Sequence, residues 1–141
     1  YKTLHKFVSK KFINKYKYLD PVRFSDFLRL ELLLNNGGVW MDPSIFISNG
    51  EFLNTFYSEM MTNNYDVTLF EFFLKTITIH MPYLENWFIM APKNSKFIKD
   101  LYNEFIKAEN IGFIKYKFTV LLLYKIKSPN YYKFCNRVRI L

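Results

Sequence analysis

Apolar residues recur at helical spacing near the start of the chain, where Leu4, Phe7, Val8, Phe12 and Ile13 form one stripe. Lys6, Lys10, Lys11, Lys15 and Lys17 fill the positions between them. This pattern predicts a basic amphipathic helix over residues 2–18. A second helix is predicted over residues 22–35, which are apolar on almost every side, as a buried helix requires. Its ends are well marked. Asp20 can cap the N-terminus, Pro21 suits the first helical position, and Gly37 suits a left-handed turn past the end.

After Gly37-Gly38, the run Val39-Trp40-Met41 predicts a short strand. It should stop at Asp42-Pro43, because proline has no amide hydrogen to continue a central ladder. A second extended piece is predicted at 45–47 and a helix at 51–61. Aromatic and β-branched residues predict strands at 65–72 and 76–80, with 71–75 open to either strand or helix. A further strand is predicted at 87–91, closed by Pro92. Asn94 or Ser95 can then cap an amphipathic helix to about Lys107, with Phe97, Leu101, Tyr102 and Phe105 facing inward. Residues 116–124 read as a buried strand or helix, and Pro129 breaks any regular element beyond them. Strands alternating with helices predict an α/β domain with a mixed sheet and flanking helices. Sheets of that kind bind ligands at the carboxyl ends of their strands, and Asp42 occupies such an end.

Composition narrows the field. With 141 residues the chain has room for one domain with a real core, taken as 1–141. Half of the residues are hydrophobic and 23% are charged, a globular balance that excludes a disordered chain. The net charge of +8 suits an anionic partner: a nucleotide diphosphate, a nucleic acid or a membrane surface. The aromatic share of 21% accompanies many Lys, Asn and Ile residues, the set that AT-rich codons produce. Most aromatics fall at core-periodic positions and no nucleic-acid motif is present, so no nucleic-acid partner is assigned. The alternative reading is a basic protein that binds nucleic acid or an anionic membrane. The single cysteine, Cys135, cannot form an internal disulfide, and His5 and His80 show no ligand spacing. No uncharged apolar run approaches the roughly 18–20 residues that span a bilayer. The basic helix leaves room for peripheral membrane association. Location stays open among the cytoplasm, a membrane face and the secretory pathway.

Candidate chemistry gathers in residues 25–44. Asp26 and Arg29 lie three apart on the second helix and so share a face with Val22, Ser25 and Leu33. They are compatible with an intrahelical ion pair or with a site. A carboxylate at a strand end, here Asp42, suits metal or hydroxyl binding. A buried arginine suits contact with oxygen anions.

Phe24-Ser25-Asp26-Phe27-Leu28-Arg29 followed by Gly37-Gly38-Val39-Trp40-Met41-Asp42-Pro43-Ser44 resembles the S-D-x-x-R … G-G-x-x-x-D-x-D signature of sugar transferases. The closest versions are the capsular polysaccharide synthesis glycosyltransferases and the related sugar-binding-region transferases with a DXD motif. Residues 85–94, Glu85-Asn86-Trp87-Phe88-Ile89-Met90-Ala91-Pro92-Lys93-Asn94, resemble a downstream block of the same proteins.

The resemblance implies a GT-A (Rossmann-like) fold, present here in part, since only the basic helix precedes Asp20 and the usual N-terminal nucleotide-binding strand is not seen. It implies a metal-dependent transferase that moves a sugar from a UDP- or GDP-sugar to a glycan or polysaccharide acceptor, usually with retention. By motif position Ser25, Asp26, Arg29 and Asp42 would bind the donor, with Asp42 and Arg29 in the catalytic centre. Glu85, Asn86 and Trp87 would face the acceptor. Asp42 and Ser44 would hold Mn²⁺ or Mg²⁺. Ser44 departs from the pattern, a neutral hydroxyl standing where the second aspartate is usual. That lowers the expected metal affinity unless another oxygen compensates, and it leaves open a transferase fold that has lost catalysis.

Overall fold

The computed structural model describes residues 3–75, 80–110 and 138–140. The stretches 76–79, 116–124, Pro129 and Cys135, on which sequence expectations fell, lie outside the described residues. The element order is a 3-10 turn at Leu4–Lys6, α1 (Lys10–Tyr16), α2 (Pro21–Asn36), β1 (Gly38–Met41), α3 (Glu51–Thr62), β2 (Val67–Lys75), β3 (His80–Ala91), α4 (Lys96–Asn110) and β4 (Val138–Ile140).

The chain is a mixed α/β domain, as the pattern predicts. Its sheet runs β1-β3-β2-β4. β3 pairs antiparallel with both β1 and β2, and β4 adds to β2 in parallel. Alternation along β3 divides the core. Ile89 and Ala91 join Val67 and Leu69 on the face covered by α1, α2 and α4. Phe88 and Met90 turn to the other face, where Met60 of α3 meets them with Phe52 and Phe56 packed alongside.

The N-terminal helix is shorter than its hydrophobic stripe predicts. The side-chain oxygen of Ser9 accepts a hydrogen bond from the Phe12 amide at 3.1 Å and starts α1 there, so the single expected helix divides into a turn and a helix. Phe12, Ile13 and Tyr16 are buried, whereas Phe7 is exposed. Lys6, Lys10, Lys11, Lys15 and Lys17 all face solvent. No helix among the described residues is long and apolar enough to cross a membrane.

The second helix keeps its sequence boundaries. The Asp20 carboxylate accepts from the amides of Val22 and Arg23, both at 3.1 Å, and Pro21 opens the helix. Gly37 ends it at φ +70°, pressed against the turn after β3. A Cβ there would stand 2.6 Å from the Lys93 amide nitrogen. Both the conformation and the close approach require glycine.

Two differences from the expected elements bear on the site. Residues 45–47 form no strand; the Ile45 amide bonds back to the Asp42 carbonyl at 3.0 Å and makes a turn over Pro43 and Ser44. Residues 71–75 extend β2 as strand rather than helix. Between the pairs Leu69–Ile89 and Glu71–Leu84 the register slips, so residues 85–88 of β3 stand opposite Phe70 alone. Such a bulge lifts part of a strand out of its ladder and re-aims its groups.

Candidate functional site

The site is built where α2, the end of β1 and the bulge in β3 meet. α2 turns Phe24, Phe27 and Leu30 into the helical core. Its other side carries Ser25, Asp26 and Arg29. Asp26 and Arg29 are buried, at 7% and 6% exposure. Charged side chains persist at such burial only when paired and hydrogen-bonded. Here the pairing is extensive. Arg29 Nη2 lies 3.1 Å from Asp26 Oδ1, and Arg29 Nη1 lies 3.4 Å from Asp42 Oδ1. Nη1 also donates to the Asn86 carbonyl at 2.6 Å. Nη2 reaches Ser25 Oγ and Nε reaches the Ser25 carbonyl, each at 3.4 Å. The indole ring of Trp40 covers the guanidinium, 5.1 Å from ring centre to Cζ.

Asp42 follows β1 directly. Its amide donates to the Trp87 carbonyl at 2.9 Å, one step past the last β1–β3 pair. Its Oδ1 accepts from the Trp40 indole N–H at 2.8 Å. Residues i and i+2 of a strand share a side, which explains how Trp40 reaches it. Asp42 is the most open of the three charged groups, its side chain 29% exposed. Ser44 is exposed in the turn after it.

The bulge supplies the third wall. Asn86 gives its carbonyl to Arg29, and its side-chain amide donates to Asp26 Oδ1 at 3.2 Å. The structure thus brings Asn86, expected on the acceptor side, into the same cluster as Asp26 and Arg29. Trp87 stacks on Phe70 with centroids 4.6 Å apart and is half-buried, as is Glu85.

Electrostatics set the cluster apart. Burial pushes the Asp26 carboxyl up from 3.8 to about 6. The Arg29 charge opposes this, and the nearby Asp42 and Asp20 charges add to it. Asp26 can therefore change its proton near neutrality.

A divalent cation finds a sparse donor set. Among the described residues no group of three His, Cys, Asp or Glu side chains is arranged to hold a metal. Asp42 Oδ1 is engaged by Trp40 and Arg29, and the described residues give Oδ2 no partner. On the positions expected to hold a metal, that leaves Asp42 Oδ2 and the exposed Ser44 hydroxyl, too few oxygens by themselves to hold Mg²⁺ or Mn²⁺ without others from substrate and water.

Two contributors escaped the sequence reading. Trp40 could have been found from its i, i+2 relation to Asp42. Asn86 as a partner of Asp26 and Arg29 left no local signal, because only the bulge delivers it.

Fold and cluster define a mixed α/β domain in which a buried acid–arginine pair meets a half-exposed second acid at the end of a sheet strand. The family model for capsular polysaccharide synthesis protein matches residues 1–140. The chain belongs to this family, and with it goes a role in polysaccharide biosynthesis. It matches no curated protein and no solved structure.

Proposed function

We propose that the chain carries the donor-sugar site of a glycosyltransferase of GT-A type, which moves a sugar from a UDP- or GDP-sugar to a glycan or polysaccharide acceptor with retention. The observation that carries this reading is the convergence of Asp26, Arg29 and Asp42. Two of them lie on a helix and one beyond a strand, yet Arg29 lies within 3.4 Å of both carboxylates. A plain intrahelical ion pair would need only the first two.

In this reading Asp42, the most open of the three, meets the donor sugar or ribose hydroxyls, and Ser25 and Asp26 extend the donor wall. Arg29 holds the two carboxylates against each other and keeps positive charge at the centre. A Mn²⁺ or Mg²⁺ ion, held on the chain's side by Asp42 and Ser44, would offset the diphosphate charge as the nucleotide leaves. Glu85 and Trp87, on the bulge beside the cluster, are the proposed acceptor side. The solvent-facing lysines of α1 and the turn before it suit a peripheral place at an anionic membrane.

Hydrolysis and transfer should be measured with a panel of UDP- and GDP-sugars plus Mn²⁺, comparing the full-length protein with Asp42→Ala. A drop of about a hundredfold or more is expected. An active protein whose rate survives Asp42→Ala refutes the assignment.

A further inference from the structure

The positive charge of the chain is gathered at its start. Residues 1–18 hold six lysines and no Asp or Glu, which leaves fourteen Lys or Arg against twelve Asp or Glu in the rest. The helix that carries three of these lysines, α1, packs through Phe12 and Tyr16 on Phe24 and Phe27, the side of α2 away from Asp26 and Arg29. Elsewhere on the helical surface a cation comes with an acid: Arg23 with Asp20 at 3.3 Å, Lys96 with Asp100 and Lys107 with Glu104 at 2.6 Å. Among the described residues Lys6, Lys10, Lys11 and Lys17 have no such ion-pair partner, and all four face solvent. Like charges crowded on one short segment repel each other, and an external anionic surface relieves that repulsion.

The fold also limits how such a surface can be met. Sequence spacing offers a whole apolar stripe to a lipid interface, but Val8, Phe12, Ile13 and Tyr16 are buried in the core. The apolar face of α1 is therefore already covered by the protein. What stays outside is Phe7, 62% exposed, with Lys6 beside it in the chain and Lys10 and Lys11 one turn on. Lysines around one exposed ring fit an anionic bilayer, where the ammonium groups stay at the phosphates and the ring enters between them. A nucleic acid calls for several stacking faces, and Phe7 is the one exposed Phe or Tyr among residues 3–17.

We infer that Lys6, Lys10, Lys11 and Lys17 with Phe7 form an electrostatic docking face for an anionic lipid bilayer, in which Phe7 is the single apolar anchor and α1 stays packed on α2. The inference stands apart from the donor-site reading, and its test uses no sugar.

Co-sedimentation of the full-length protein with vesicles provides that test, with phosphatidylcholine alone against phosphatidylcholine holding about one-third phosphatidylglycerol, in about 0.1 M and about 0.5 M salt. Binding is expected only to the anionic vesicles and only at the lower salt. Lys10→Ala with Lys11→Ala should weaken it about 25-fold, at about fivefold per lysine. Phe7→Ser should weaken it about tenfold. Lys96→Ala with Lys107→Ala, whose charges already have acids beside them, should weaken it less than about threefold. Every side chain changed is exposed, so each variant keeps its core. Equal binding to both kinds of vesicle, or binding that survives the higher salt, would mean that a buried apolar face inserts, and it overturns the inference. No binding to anionic vesicles, no effect of Phe7→Ser, or an equal loss from the two lysine pairs overturns it as well. Tighter binding to single-stranded RNA than to anionic vesicles would assign the face to nucleic acid instead.

Discussion

The two sides of α2 solve different problems with the same backbone. One side is aromatic: Phe27 stacks on Tyr16 at 4.3 Å and meets Phe105 edge-on at 5.7 Å. Nothing there needs a defined partner atom, so shape and volume decide the packing. The other side buries Asp26 and Arg29 to a similar depth, and each of their polar atoms must be matched. The matching groups come from Ser25 on the helix itself, from Asp42 just past β1, and from Asn86 in the bulge of β3, far away in sequence. The contrast teaches that the apolar side fixes where the helix lies, whereas the polar side depends on the rest of the fold being in place first.

The comparison can be broken most severely from the aromatic side. Phe27→Ala should remove about 3–5 kcal/mol of stability, since Phe27 is fully buried and its ring neighbours belong to two other helices, α1 and α4. Urea unfolding measures this directly. A loss under about 1 kcal/mol would mean that the core closes over the gap and that this side does not anchor the helix.

The polar side should answer with a pH signature. The carboxyl of Asp26 has a folded-state value of about 6 against 3.8 when unperturbed, so the folded protein binds its proton more tightly than the unfolded chain does. Its contribution therefore favours folding at low pH and is lost as pH rises from 3.8 to about 6. Asp26→Asn should erase that slope. At pH 7.5 it should leave stability unchanged or raise it, by at most about 3 kcal/mol. Melting temperatures of both proteins between pH 4 and 8 provide the check. A stability gap that widens against the variant above pH 6 would show that the Asp26–Arg29 attraction outweighs the cost of burying the carboxylate.

The smallest effect belongs to the start that both sides share. Asp20→Ala removes the side-chain acceptor for the Val22 and Arg23 amides and should cost about 1 kcal/mol. The ion pair of Asp20 with Arg23 is open to solvent and adds little. Activity corrected for folded fraction should not change. A selective loss of donor affinity would mean that the helix start also tunes the cluster.

Much of this was legible in the chain itself. The caps of α2, its burial, the stop at Asp42-Pro43 and the glycine at position 37 come from local rules, because each depends on a residue's own backbone or on neighbours within one turn. Asp26 and Arg29 on one face follow from helical spacing alone, and the signature containing Asp42 ordered the rest. The helix boundary at Ser9 was legible in principle but was masked by a hydrophobic stripe that ran through it. Residues 45–47 look extended because their apolar side chains favour strands, yet among the described residues no strand pairs with them.

Sequence by itself thus determined the elements, the charged residues and their order. Tertiary structure alone decided that Arg29 would lie between two carboxylates, that Asn86 would leave its ladder to join them, and that Trp40 would hold Asp42 by its indole N–H. Register, bulge and helix-to-sheet docking are set by contacts between residues as far apart as Asp26 and Asn86. A local pattern carries no record of such distances, because the groups that satisfy a buried charge are chosen by the packing of the whole core.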